Sequence, residues 1–284
     1  KGCYRYFSEN LTKAARERFS VEARLRQAIA HERLALYYQP KIDMTTGDIV
    51  GAEALIRWID PVEGVIPPAQ FIGVAEETGM INTIGEWVIR EACQQGRHWL
   101  DFGMPPISIS INISANQLHH GDLHKTIQQI LYKTGFPATS LELELTESIL
   151  MQRENEVLET LSQIRAAGVV LGIDDFGTGY SSLAYLKSFP LDVLKIDRSF
   201  VRDIEQDQDD RAITATIIAM AHNLGMQVVA EGVETEEQLA FLHAHHCDIY
   251  QGYITSQPLP ADEFEAFVRN YQATDFVRRS QKSQ

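Results

Sequence analysis

Residues 107–113 read ISISINI and residues 141–146 read LELELT. Strict alternation has the two-residue period of a β-strand and sorts each segment into an apolar and a polar face. In the first, the isoleucines oppose Ser108, Ser110 and Asn112; in the second, the leucines oppose Glu142, Glu144 and Thr146. Helices must cover the apolar face, so the polar face lines an enclosed interior. A carboxylate placed there needs a cation or a hydrogen-bonded partner.

Outward from these two segments, short apolar runs keep alternating with amphipathic helical stretches, the signature of repeated βα units. Strands are expected at 34–40, 48–57, 107–113, 141–146, 169–175, 192–197, 227–231 and 248–252. Helices are expected at 81–101, 122–134, 154–167, 181–188, 208–224, 235–245 and 262–271. Only Thr45, Thr46, Gly47 and their neighbours separate the first two strands, too few for a parallel crossover, so these should be antiparallel. The expected fold class is α/β, a modified TIM-type (β/α)8 barrel with one antiparallel strand at the start, over residues 32–272. Residues 9–31, with Val21, Leu25 and Ile29 at helical spacing, read as a linker helix. Residues 1–8 (KGCYRYFS) read as the remnant of an upstream domain and residues 273–284 as a polar tail.

Bulk properties agree. The 284 residues exceed the roughly 250 that such a barrel needs. A hydrophobic fraction of 44% and a charged fraction of 23% are those of a soluble globular protein. The net charge of -14 argues against a nucleic-acid polymer or an anionic membrane surface as partner. A small phosphorylated ligand stays open, because bound metal ions can supply local positive charge. Cys3, Cys93 and Cys247 form no CxxC pair, which suits a reducing, cytoplasmic setting. No apolar run is long enough to span a bilayer and no signal peptide is visible. The chain begins at Lys1 and is read as a piece of a longer protein, which leaves room for a membrane anchor upstream.

Chemistry-bearing residues gather at the C-terminal strand ends, where barrel enzymes build their sites. Glu53 lies near the end of the second strand and Asn112 at the end of the third. Glu144 and Glu147 end the fourth, Asp174 and Asp175 the fifth, Lys195 and Asp197 the sixth, Glu231 and Glu234 the seventh, and Gln251 the eighth. So many carboxylates repel one another without cations. All-oxygen ligands select hard ions, Mg2+ or Mn2+. Adjacent Asp174 and Asp175 suit two metals close together, an arrangement fitted to phosphoryl displacement. Taken singly, each residue has a plainer explanation. Asp-Asp before a Gly-rich segment is turn chemistry, a strand-end Glu is a solvated rim charge, Lys195 snorkels, and Gly177 and Gly179 serve a turn. Their joint placement on nearly every strand end selects the site.

The motifs are YQP at 38–40, Glu53-Ala54-Leu55 inside EALIRW, NIS at 112–114, ELTES at 144–148, DDFGTGYSSL at 174–183, KID at 195–197, EGVE at 231–234 and QGY at 251–253. In this order and spacing, over about residues 21 to 270, the chain resembles an EAL domain, the cyclic-di-GMP-specific phosphodiesterase family. The resemblance implies that Glu53, Asn112, Glu144 and Asp174 hold a first Mg2+ or Mn2+. Asp174 and Asp175 hold a second, with Glu231 nearby directly or through water. It places Lys195 on the water between the metals and makes Lys195 and Glu231 the catalytic pair. Gln39, Leu55, Arg57 and Gln251 contact the cyclic-di-GMP substrate, with Gln251 at the pocket rim. Glu147, Gly177 and Gly179 belong to a metal-linked loop, and Glu234 supports the ligands. The family also implies a homodimer through the 176–188 region. CYRYFSENL followed by an Arg/Glu-rich helix resembles the join after a GGDEF domain, which implies a GGDEF-like or sensor domain upstream.

Every ligand position carries its expected residue, which favours a working enzyme that cuts one phosphodiester and gives linear pGpG. The alternatives are a catalytically silent cyclic-di-GMP receptor, a lyase-like or enolase-like metal enzyme using Lys195 as base, and a pure interaction module. His243, His245, His246 and Cys247 lack the spacing of a closed zinc site. His119, His120 and His124 read as a loop and helix start, and Trp58, Trp87 and Trp99 as packing residues.

Overall fold

The computed structural model describes residues 9–119, 122–150, 154–177 and 183–273. The expected remnant at 1–8, all of the polar tail but its first residue, Gly179, His120 and part of the 176–188 region lie outside the described residues. The strands are β1 (Leu34–Asp43), β2 (Ile49–Asp60), β3 (Gly64–Ile66), β4 (Ser108–Ile113), β5 (Leu141–Thr146), β6 (Val170–Phe176), β7 (Val193–Ile196), β8 (Gln227–Ala230), β9 (Ile249–Tyr250) and β10 (Leu259–Pro260). The helices are α1 (Glu9–Ala30), α2 (Ile72–Glu77), α3 (Met80–Asp101), α4 (Ala115–His119), α5 (Leu123–Thr134), α6 (Glu147–Leu150), α7 (Glu154–Ala166), α8 (Leu183–Ser188), α9 (Arg198–Arg202), α10 (Gln208–Asn223), α11 (Glu236–Ala244) and α12 (Ala261–Asn270). Every expected strand and helix is present. The unexpected elements, β3, β10, α2, α4, α6 and α9, are too short to show a period.

Hydrogen bonding runs β1–β2–β4–β5–β6–β7–β8–β9 and returns to β1, so eight strands close a barrel. Strand β1 is antiparallel to both barrel neighbours, β2 and β9, while the pairings from β2–β4 round to β8–β9 are parallel. The tight β1–β2 turn explains the exception. Asp43 Oδ1 accepts from the backbone N–H of Thr45 (2.8 Å) and Thr46 (2.7 Å), and Gly47 takes a φ of 76°.

The alternation reads as expected in three dimensions. Ile109, Ile111, Ile113, Leu141, Leu143 and Leu145 are buried in the core that continues into the helix layer. The opposite face meets across the lumen: Lys41 on β1 reaches Glu142 and Glu144 on β5, strands that are not neighbours. A separate apolar cluster of Val193, Val229 and Ile249, with Val50 and Val170 against it, lies near the strand starts and plugs that end. Glu142, paired with Val170 of this cluster, and its partner Lys41 border it, and the other charged side chains of the lumen lie toward the strand ends.

Strand β2 outruns its barrel partner. Beyond Ala54, which pairs with Ile111, it continues to Asp60 and turns into β3. Glu53 is therefore mid-strand, yet at the end of the part that lies in the barrel. Helix α1 packs on this extension, burying Leu25 and Ala28. Arg24 donates to Asp60 Oδ2 (2.8 Å) and Glu63 Oε1 (2.7 Å) and lies over the Trp58 ring, 5.1 Å from its centroid. Among the described residues no helix is long and apolar enough to cross a membrane.

Candidate active site

Lys195, fully buried at the third position of β7, lies at the centre of the charged layer. Its Nζ is 2.6 Å from Glu231 Oε1, 2.7 Å from Glu144 Oε2, 3.2 Å from Asp174 Oδ1 and 3.8 Å from Glu53 Oε2. These groups come from β2, β5, β6 and the residue after β8, so closure of the barrel assembles them. Burial works against the ammonium, but Glu144, Glu231, Glu53 and Asp174 outweigh it and hold Lys195 well above the ordinary lysine range.

The carboxylates divide by how much positive charge each receives. Burial would raise Glu144, but Lys195 and Lys41 draw it down to about 2. Glu231 is pushed up to about 8, by burial first, with Asp174 and Glu53 opposing the pull of Lys195. Burial also raises Glu53 and Asp174. These carboxylates are short of cations, and their donor atoms are all oxygens, which fits hard divalent metal ions.

Asp174 and Asp175 reach one space through a backbone irregularity. Adjacent strand residues normally face opposite ways. The β6–β7 register shifts between Ile173 and Phe176, and Asp175 takes a left-handed φ of 54°. Such a bulge re-aims a side chain. Carboxylate oxygens of Asp174, Asp175 and Glu231 consequently lie within 4.8 Å of one another. Asp175 is raised by burial and then by Asp197 beside it. Asp197 also accepts from Ser199 N (3.0 Å), capping α9.

A chain of amides fixes Glu53. Asn112 Nδ2 donates to Glu53 Oε1 (2.8 Å), and Gln251 Nε2 to Glu53 Oε2 (2.7 Å) and Gln39 Oε1 (2.8 Å). Gln39 Nε2 in turn donates to Ser256 O (3.1 Å). Gln251 thus lies inward of the rim where the sequence had placed it, and its buried Oε1 has no partner among the described residues. Leu55 and Arg57 follow on β2, partly exposed, with the Arg57 guanidinium 5.6 Å from the centroid of the Tyr37 ring.

The end of β6 is tied to α6, since the backbone N–H of Gly177 donates to the buried Glu147 Oε2 at 3.3 Å. Gly177 has a φ of 99°, and a Cβ there would meet the Phe200 ring at 2.7 Å, so only glycine fits. Glu234 is exposed, and its backbone N–H goes to Gln238 Oε1 (2.7 Å).

The model of the family described as EAL domain matches residues 22–258. The chain belongs to the EAL-domain family.

Relatives of this EAL domain include the cyclic di-GMP phosphodiesterase NbdA of Pseudomonas aeruginosa, 44% identical over 94% of this chain and 34% of that protein. The bifunctional diguanylate cyclase/cyclic di-GMP phosphodiesterase MucR, from the same organism, is 43% identical over 93% of this chain and 39% of its own length. The solved PaMucR phosphodiesterase in complex with c-di-GMP superposes with a TM-score of 0.83 at 44% identity, covering 86% of this chain and 99% of that one. The EAL domain spans between a third and two fifths of these full-length relatives.

The sequence reading missed Lys41, because it ended the first strand at Pro40. The signal was present, since Lys41 is two residues from Gln39 and so shares its face. Away from the site, His243, His246 and Cys247 line a surface concavity with His222 and Asp248, where His222 Nε2 is 2.9 Å from Asp248 Oδ2. Among the described residues, the one group of three ligand atoms close enough for a metal is Asp174, Asp175 and Glu231.

Proposed function

We propose that this EAL domain hydrolyses one phosphodiester bond of cyclic-di-GMP to linear pGpG. The observation that carries the reading is the meeting of Asp174, Asp175 and Glu231 beside Lys195. Glu53, Asn112, Glu144 and Asp174 would hold one Mg2+ or Mn2+, and Asp174, Asp175 and Glu231 the other. When bound, such a pair supplies Lewis acidity that activates water and steadies the leaving oxygen.

The chain's own residues do the rest. Lys195 offers its ammonium where charge develops on the attacking oxygen and is held there by carboxylates from three sides of the barrel, so no reorganisation is needed. Glu231, in contact with Lys195, is placed to accept a proton from the attacking water. The planar Arg57 guanidinium suits phosphate oxygens. The chain from Gln39 through Gln251 holds Glu53 still, and Gln251 Oε1 remains to accept from a ligand donor. Glu147 holds the backbone of Gly177, two residues after Asp175. Like MucR, which is named as bifunctional, the parent protein would carry a cyclase-like domain upstream, with residues 9–31 as the connecting helix. A homodimer through the 176–188 region belongs to the same proposal.

The test is incubation of the chain with cyclic-di-GMP and Mn2+ or Mg2+, followed by chromatography. The expected product is pGpG, lost in Glu53→Ala, Asp174→Ala and Lys195→Ala. Tight binding without product would make the domain a receptor. Neither binding nor cleavage would overturn the substrate assignment.

A further inference from the structure

We propose that Lys41 is a positioning residue for Glu144, orienting it for cation binding from inside the barrel; this rests on reading Glu144 as a metal ligand. Lys41 is 1% exposed. Its Nζ donates to Glu144 Oε1 at 2.8 Å and to Glu142 Oε1 at 3.1 Å. Lys195 takes the other oxygen, Glu144 Oε2, at 2.7 Å. Glu144 is therefore held at both oxygens by ammonium groups from two different strands, which leaves it one orientation. Removing a group that fixes a metal ligand in this way typically weakens metal binding by about 10–100-fold.

Small residues surround this contact. Glycines stand at two interior positions beside it. A Cβ at Gly51, the β2 residue paired with Lys41, would lie 2.5 Å from Ser108 Oγ and 3.5 Å from Lys41 Cδ. A Cβ at Gly172, paired with Glu144, would lie 3.3 Å from Glu142 Oε1 and 3.7 Å from Glu144 Cγ.

Charge alone predicts the opposite effect. A lone ammonium near a cation site repels the cation, so its removal would strengthen binding. Lys41 is not alone, because Glu142 neutralises it. Removing both residues leaves the net charge unchanged and removes only the grip on Glu144.

The experiment is an Mn2+ titration followed by electron paramagnetic resonance, without substrate, on the chain carrying Lys41→Met together with Glu142→Leu. Lys41 and Glu142 leave together and Glu144 keeps Lys195 at its other oxygen, so the fold should hold, as checked by the melting temperature. The expected result is an Mn2+ dissociation constant about 10–100-fold higher than the parent's at a similar melting temperature. The Mn2+ concentration for half-maximal turnover should rise by the same factor, while turnover at saturating Mn2+ falls far less. Parent-like Mn2+ affinity in the folded pair variant overturns the proposal. Should that pair not fold, Lys41→Gln with Glu142→Gln is read by the same criteria. Glu144→Gln separates the two levels: parent-like affinity there overturns Glu144 as a ligand, whereas weakened affinity there with a parent-like pair variant overturns the role of Lys41 alone.

Discussion

Asp175 stands in a left-handed conformation that costs a non-glycine residue about 1–2 kcal/mol, less for Asp, whose short side chain tolerates it. The turn it makes is what lets neighbouring carboxylates serve one site. The sequence displayed both aspartates but not the bulge, which arises from the shifted β6–β7 register. Gly177, two residues on, is equally committed. Gly177→Ala should destabilise the fold by about 1–3 kcal/mol through backbone strain, read by urea denaturation. Lys195→Met should lower turnover by about 10²–10³-fold, the cost of losing one preorganised charge-stabilising donor. Single-turnover kinetics with saturating substrate and Mn2+ would measure it, and parent-like rates would remove Lys195 from the chemistry. Lys41 shows the reverse failure of legibility. The expected strand ended at Pro40, whereas the pairing of β1 with β2 continues through it to Ile42.

At the scale of elements, α1 is tied to the extension of the strand that carries Glu53, Leu55 and Arg57. Asp60 is held at about 2, first by its hydrogen bond from Arg24 and then by the backbone N–H groups of Glu63 and Val62. Its folded pKa is below the unfolded value of about 4, so its contribution is complete above that value and is lost as the pH falls through the folded one. The gap in melting temperature between the parent and Asp60→Asn should therefore be widest at pH 5 and close between about pH 4 and pH 2. A gap independent of pH would show that Asp60 acts through its turn geometry alone. Regular elements were legible because their periods survive over many residues, as the match of α3 and α5 to their expected spans shows. The hairpin of β2 and β3 was not, because three-residue β3 has too few positions to alternate.

At the scale of the whole molecule, the lumen gathers its charged side chains mostly toward the strand ends, with carboxylates outnumbering ammonium groups. Divalent cations that bind only the folded barrel stabilise it by mass action. Mn2+ at a hundred times its dissociation constant should raise the melting temperature by about 5–10 °C, and a chelator should reverse the shift. Asp174→Ala should abolish the rise; a rise that persists would move the cation site elsewhere. The sequence by itself determined the barrel, its antiparallel first strand and the acidic strand ends, because alternation, turn length and motif spacing are local properties of the chain. It also placed the chain beside its family, because eight motifs kept their order. Only the tertiary structure decided which carboxylates share Lys195, that Gln251 lies inside the mouth, that Asp175 turns back beside Asp174, and that Lys41 grips Glu144 across the lumen. Those contacts join strands far apart in sequence, and their distances depend on closure and register, which no local pattern encodes.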